Sequence, residues 1–271
     1  MYGHMKHRFF QIIIFMLCFS WLSSAQATYI AAHPSTSEAA LLAPNLPAVA
    51  YVNGWVGASL GGVHAVNSGG LLVLGKGGIT FPLGHAFGIQ ADVFDGVVVH
   101  KNLQAADSYL FWRAPAQGFL SGHVKYQESN HVYETLYGLR GDAYIYNWTL
   151  SAEGGGVHTN VQGANETGYG EVYANWYPMP DLKLFANYLR VKQDNVFQVG
   201  GEYQLGLKYL PGLSIFVDGG VGDHNLRYGF LELRYYFGEN KTLIRRHRED
   251  TVTPTFDPIT FQQPARAVLK F

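Results

Sequence analysis

The sequence predicts an all-β fold, a closed transmembrane antiparallel β-barrel of about twelve strands flanked by disordered N- and C-terminal segments. Three observations carry this. Residues 50–238 break into short stretches of alternating apolar and polar residues, an export signal precedes them, and helical periodicity is nearly absent. In the clearest stretch, Gly118 to Tyr126, one face holds Leu120, Gly122, Val124 and Tyr126, and the other Ser121, His123 and Lys125. Successive side chains of a strand point to opposite sides, so repetition of this pattern describes a sheet closed on itself, apolar outside and polar inside.

Composition agrees. Charged residues make up 14 % of the 271 residues, aromatics 15 %, and there are 32 glycines. A soluble domain carries about 25 % charged residues. Mean hydropathy is −0.02, as expected where lipid-facing and interior residues alternate.

The elements follow in order. Lys6, His7 and Arg8 form a positive n-region, Phe9 to Leu22 an apolar stretch, and Ala25-Gln26-Ala27 a small-x-small cleavage site. Residues 1–27 therefore read as a signal peptide cut between Ala27 and Thr28. Cys18, the only cysteine, lies inside it, which leaves the mature chain without thiol, disulfide or cysteine metal site. Loss of Lys6 and Arg8, with no acid in 1–27, takes the formal charge from −1 to −3, so no nucleic-acid partner is indicated. Residues 28–49, with Pro34, Pro44 and Pro47, read as a flexible segment.

Strands are expected at 50–61, 69–81, 85–98, 105–113, 117–128 and 131–145. Six more follow at 147–158, 167–177, 181–192, 195–207, 211–223 and 226–238. Lengths of about 10 residues suit tilted strands crossing hydrocarbon, and Pro82-Leu83-Gly84, Pro115, Met179-Pro180-Asp181 and Pro211-Gly212 supply turns. Residues 99–104 and 158–166 read as longer loops on the side opposite the chain ends. No segment beyond the signal approaches about 18 consecutive apolar residues, which excludes a helical membrane protein but not a barrel.

Parity then sorts the side chains. One face, read as lumen-lining, holds Gln90, Asp92, His123, Lys125, Glu134, Arg140, Asp142, Glu153, Glu171, Lys183, Glu202, Asp218, Glu232 and Arg234, with Asn175, Asn187 and Gln198. The other holds Ile89, Val93, Leu120, Val124, Leu139, Leu150, Val172, Trp176, Leu184, Val199 and Leu233. An Arg or Lys facing lipid near the midplane costs about 2–4 kcal/mol, which fixes which side is which. A mixed lining leaves two readings open: a water-filled channel whose fixed charges bias solutes, or an interior plugged by its own ion pairs.

In the last strand Leu231, Leu233, Tyr235 and Phe237 alternate against Glu232 and Arg234. This resembles the barrel-closing strand of porin-like Gram-negative outer-membrane β-barrel proteins. Tyr109 to Pro115 and Lys241 to Asp250 are also similar to segments of uncharacterised proteobacterial outer-membrane proteins. The resemblance implies residence in the outer membrane, with its lipids and assembly machinery as partners, and no mechanism. The chain departs from it by continuing to Phe271, and residues 239–271 read as a disordered periplasmic tail. Arg245, Arg246 and Arg248 in that tail suggest contact with phospholipid head groups or the cell wall.

Catalytic and cofactor motifs are weak. Gly57-Ala-Ser59-Leu-Gly61 fits the nucleophile-elbow pattern, which requires a following helix that alternation here forbids. Gly70 to Lys76 half-matches a phosphate loop but has Gly77 where Ser or Thr is needed. Ser121 and His123 share a strand face, with Asn175 or Asn187 as conceivable orienting groups, yet that face is turned away from lipid. His123 with His131 is the best of a poor set of metal ligands. No catalytic residue, cofactor or metal is assigned. The expected role is a passive channel for small polar solutes, with an occluded structural or surface-binding barrel as the first rival and a lipid-modifying enzyme as the second.

Overall fold

A computed structural model describes residues 46–65, 68–129, 132–160, 166–191 and 193–252. The signal peptide, its Ala27–Thr28 cleavage site, most of segment 28–49, His131 and residues 253–271 lie outside the described residues.

Twelve strands form one closed barrel in which each pairs with its sequence neighbours and the last returns to the first. They are β1 (Asn53–Ala65), β2 (Ser68–Leu83), β3 (Phe87–Val98), β4 (Lys101–Ala114), β5 (Gly118–Ser129) and β6 (Val132–Ile145). The circuit continues through β7 (Trp148–Thr159), β8 (Glu166–Met179), β9 (Leu182–Val191), β10 (Asp194–Gln204), β11 (Leu213–Gly222) and β12 (Arg227–Phe237). All pairs are antiparallel, and the β1–β12 seam runs from Gly54 opposite Phe237 to His64 opposite Arg227. Closure leaves no strand edge, so the ladder backbone finds its partners within the sheet.

The alternation read from the sequence is the alternation of burial. Along β4 the sequence KNLQAADSYLFWRA alternates between buried and exposed with a period of two. Val93, Leu120, Val124, Leu139 and Val172 are each more than half exposed on the outer surface. A soluble barrel would bury such residues; here they clothe the wall, as a hydrocarbon surround requires. No helix among the described residues is long and apolar enough to cross a membrane.

Three expectations need correction. Residues 99–104 are not a long loop: only two residues separate β3 from β4, both with positive φ (Val99 50°, His100 63°). Two residues of left-handed backbone match the twist of the flanking strands, which is why so short a connection suffices. All connectors on the side away from the chain ends are two to six residues long, and the longest connector, 205–212, lies on the opposite, terminal side.

Segment 28–49 is not loose to its end, since Ala48 and Val49 are buried and the Ala48 amide donates to the His85 carbonyl (2.7 Å). The first part of the 239–271 tail is likewise folded. Leu243–Arg245 forms a helical turn that widens into a π-type turn over Arg246–Asp250, and all but Arg245 are buried.

Substitution Val124→Arg is expected to hinder assembly, at a cost of about 2–4 kcal/mol for a cation on the lipid face near mid-depth. The check is the fraction of protein that keeps the fast gel mobility of a folded barrel when not heated. Mobility equal to wild type would reverse the assignment of faces.

Candidate functional site

The interior gathers a large set of buried ionisable groups, and it is filled in three layers. The layer away from the chain ends is mostly apolar. Ala65, Leu72, Leu74, Leu103, Leu136, Val157, Leu189, Val191 and Val196 meet Phe216, Leu226, Tyr228 and Phe230 in one cluster. The cluster reaches down to Phe216, which pairs across its ladders with Glu202 and Glu232 and so stands level with the charged groups, stacked between Phe185 (5.6 Å between centroids) and Phe230 (5.9 Å).

The middle layer is charged. Glu232 receives Lys76 Nζ at 2.6 Å, Arg234 Nε at 2.7 Å and the Ser59 hydroxyl at 2.9 Å. Glu202 faces Lys183 (3.2 Å) and Arg234 (3.6 Å), and Arg140 forks onto Asp142 (2.9 and 3.1 Å). Buried charges persist only when paired or hydrogen-bonded, and neutral donors serve the remaining acids. Gln90 and the Trp55 indole donate to Asp92, Tyr169 to Glu153, Asn187 to Glu171 and Tyr228 to Asp218, and Gln127 donates to Glu134 further from the chain ends, beyond Leu136 on β6. Lys125 stands opposite Asp107 across the β4–β5 ladder. Gly78 lies between the partners Trp55 and Asp92, where a Cβ would collide with both side chains, so only glycine admits that bond.

The third layer closes the terminal side and is built largely by the chain after β12. Gln90 clasps Val252, donating to its carbonyl (2.9 Å) and accepting from its amide (2.6 Å). Arg113 donates to the carbonyls of Asp250 (2.9 Å) and Ala48 (3.3 Å). The Leu243 amide donates to Asp181 (3.1 Å), Gln204 donates to the Lys241 carbonyl (2.8 Å), and Lys241 pairs with Asp250 (2.6 Å). Burial works against the Lys241 charge, but Asp250, with Glu249 and Tyr51 adding to it, raises the lysine pKa. His247 sits between the Tyr177 (2.9 Å) and Tyr236 (3.1 Å) hydroxyls, with Glu202 at 3.4 Å. Burial first, with Lys183 adding to it, pushes its pKa from 6.5 down to about 4, against the pull of Glu202.

The fourteen residues read as lumen-lining all carry side chains on this interior face, buried or nearly so. The barrel-closing residues Leu231 and Leu233 face outward, while Tyr235 is half-buried and Phe237 exposed at the rim. Of the three tail arginines, Arg246 and Arg248 are 2 % exposed, and only Arg245 keeps an exposed side, paired with Glu249 (2.7 Å).

The candidate catalytic groups separate. His123 engages Tyr169 (2.7 Å) and Glu153 (3.4 Å), and the buried Ser121 hydroxyl has no hydrogen-bond partner among the described residues. Ser59 serves Glu232 from within β1, and Lys76 of the phosphate-loop half-match is an ion-pair partner in β2. Among the described residues no group of three His, Cys, Asp or Glu could hold a metal ion.

Sequence reasoning passed over the apolar layer and the inward fold of the tail. The first had a signal: Phe216 and Phe230 share parity with Asp218 and Glu232. The second had none in strand periodicity.

No family model and no curated protein sequence matches the chain. Among solved structures it is similar to the KdgM porin in complex with disordered oligogalacturonate, with a TM-score of 0.53 and 11 % identity over 68 % of this chain and 99 % of that one. It is similar also to the KdgM porin alone, with a TM-score of 0.51 and 11 % identity over 68 % of this chain and 100 % of that one. At such identity the likeness is one of fold.

Two outcomes follow for this interior. Glu232→Leu strands Lys76 and half of the Arg234 pairing, and is expected to lower unfolding stability by about 3–5 kcal/mol. Adding Lys76→Met should recover part of that loss, and denaturant titration of the refolded proteins reads both. The docked tail favours neutral His247, so its contribution to docking is fully present above pH 6.5 and is lost as pH falls toward about 4. Hydrogen exchange over residues 243–252, corrected for intrinsic rates, should rise by up to about tenfold per unit across that window. His247→Phe should flatten the rise.

Proposed function

We propose that the protein is a porin-like barrel of the bacterial outer membrane, a passive path for small polar solutes held shut in the conformation described. Its membrane setting rests on the apolar exterior, and the terminal side then faces the periplasm. The observation that carries the channel reading is the charged middle layer, in which Lys76, Asp92, Lys125, Arg140, Glu153, Asp218 and Glu232 ring the inside of the wall. Burying that many ionisable groups is costly for a barrel that needs only to be stable, and replacement of buried ion pairs by apolar residues is often neutral or stabilising. Fixed charges of both signs are what a selective polar path uses. The likeness to the KdgM porin supports the same reading through the fold it shares.

One observation favours the rival, an occluded structural barrel: the apolar layer and the tail seal both sides of the charged belt. Under the channel reading these are two gates, and neither reading asks for a catalytic step. The lipid-modifying reading loses its base, because His123 is committed to Tyr169 and Glu153 rather than to Ser121.

Planar-bilayer recording of the full-length protein separates the two. The channel reading expects rare discrete openings in wild type and a severalfold higher open probability in Gln90→Ala, which frees the tail at Val252. A shift in ion preference on Asp218→Asn would place the filter in the charged belt. Silence of correctly folded wild type and variant would favour the structural barrel.

A further inference from the structure

The terminal-side mouth contains an aromatic cage that the chain fills with its own arginines. Arg248 lies over the Tyr144 ring (4.9 Å) and beside that of Tyr177 (5.9 Å). Its guanidinium donates to the Trp148 carbonyl (2.7 Å) and the Thr149 hydroxyl (3.3 Å). Arg246 lies over the Tyr236 ring (5.6 Å) and donates to Gln204 (2.9 Å). Tyr144, Tyr177 and Tyr236 stand on β6, β8 and β12, and each is less than a tenth exposed.

Guanidinium is the group this chemistry suits. It is planar, stacks on aromatic faces, and presents several donors at once to carbonyl and hydroxyl oxygens. An ammonium has no plane to stack and fewer donors in a fixed fork. The arginines two residues apart reach opposite walls because the turn over Arg246–Asp250 splays them, with His247 between the tyrosine hydroxyls.

The groups that form the cage come from the wall and not from the tail. The β1–β12 seam is complete at Phe237, before the tail begins, and every cage group belongs to a strand of the closed wall. Among the described residues the tail adds no strand to the sheet. Its hold on the wall combines side-chain bonds, ring contacts, the packing of Leu243 and Val252 into apolar clusters and a backbone bond, from the Ile244 amide to the Pro180 carbonyl (3.0 Å), all of a kind a separate peptide could make.

We propose that this mouth is a binding site for arginine-containing peptides of the Arg-X-Arg type, and that residues 246–248 occupy it as a tethered ligand. The site names a solute class for the pore proposed above and so rests on that reading for its biological use. Its occupancy is measured without any conduction, so a silent bilayer recording and a failed binding experiment remain distinct results.

The experiment uses full-length protein refolded in detergent and three blocked tripeptides, Ac-Arg-His-Arg-NH2, Ac-Lys-His-Lys-NH2 and Ac-Glu-His-Glu-NH2. Binding is followed by equilibrium dialysis. Arg246→Ala/Arg248→Ala weakens the tethered competitor, and should bind the arginine peptide about tenfold more tightly than wild type, the scale of one or two cation–π contacts. Adding Tyr144→Leu should remove most of that gain, and the lysine and glutamate peptides should bind at least several-fold less well. Equal binding by wild type and double variant, or by arginine and lysine peptides, would overturn the proposal.

Should the double variant not fold, wild type alone decides. Excess arginine peptide is expected to raise hydrogen exchange over residues 243–252 severalfold where lysine peptide does not. Exchange unchanged by the arginine peptide would equally refute displacement.

Discussion

Closure of the β1–β12 seam is the constraint on which everything else in this molecule rests. An apolar surround offers no partner for an unpaired amide or carbonyl, so a sheet there must have no edge. Once the wall is a closed ladder, each residue has one of two fates, decided by parity alone. Val124 is sent outward and Lys125 inward by the same rule, and a slip of one position would exchange them. The short Val99–His100 turn is one of the devices that hold this register, since two left-handed residues permit no slack between β3 and β4.

The inside then has its own order. At the terminal side the wall side chains are joined inside by those of residues 241–252, most of them buried. Along the barrel the filling changes character: aliphatic and phenyl groups, then ion pairs, then tyrosines around a polar tail. These layers are not equivalent in strength. The apolar cluster is held by packing, whereas the tail adds to the packing of Leu243 and Val252 directed bonds to groups such as Gln90, Arg113, Glu202 and Gln204.

How much of this was legible in the sequence follows from what parity can and cannot carry. Strand positions and the inward set from Gln90 to Arg234 rest on local alternation, which each strand displays by itself. Boundaries were less legible: β4 begins at Lys101 although 99–104 reads as a loop, because Lys101-Asn102 looks like turn chemistry and the positive φ values of Val99 and His100 are unusual for those residues. The apolar layer was legible in Phe216 and Phe230, whose parity is that of Asp218 and Glu232, but a reading led by polarity assigned apolar residues to the outside. The tail was not legible. Its burial depends on Gln90, Arg113 and Tyr177, which lie 70 to 162 residues away in sequence, and nothing periodic in Lys241 to Asp250 points to them.

The brevity of the connectors opposite the chain ends has a mechanical consequence. No connector there exceeds six residues, and the apolar groups on that side, Leu72, Leu74, Leu136, Leu189 and their neighbours, are carried by ladder strands. A barrier made of wall cannot swing on a hinge. It yields only if the cross-section of the cylinder itself deforms, which strains the whole hoop of strands at once. Among the described residues the long segment that follows the last strand, 241–252, sits at the opposite rim, where a part can shift without straining that hoop.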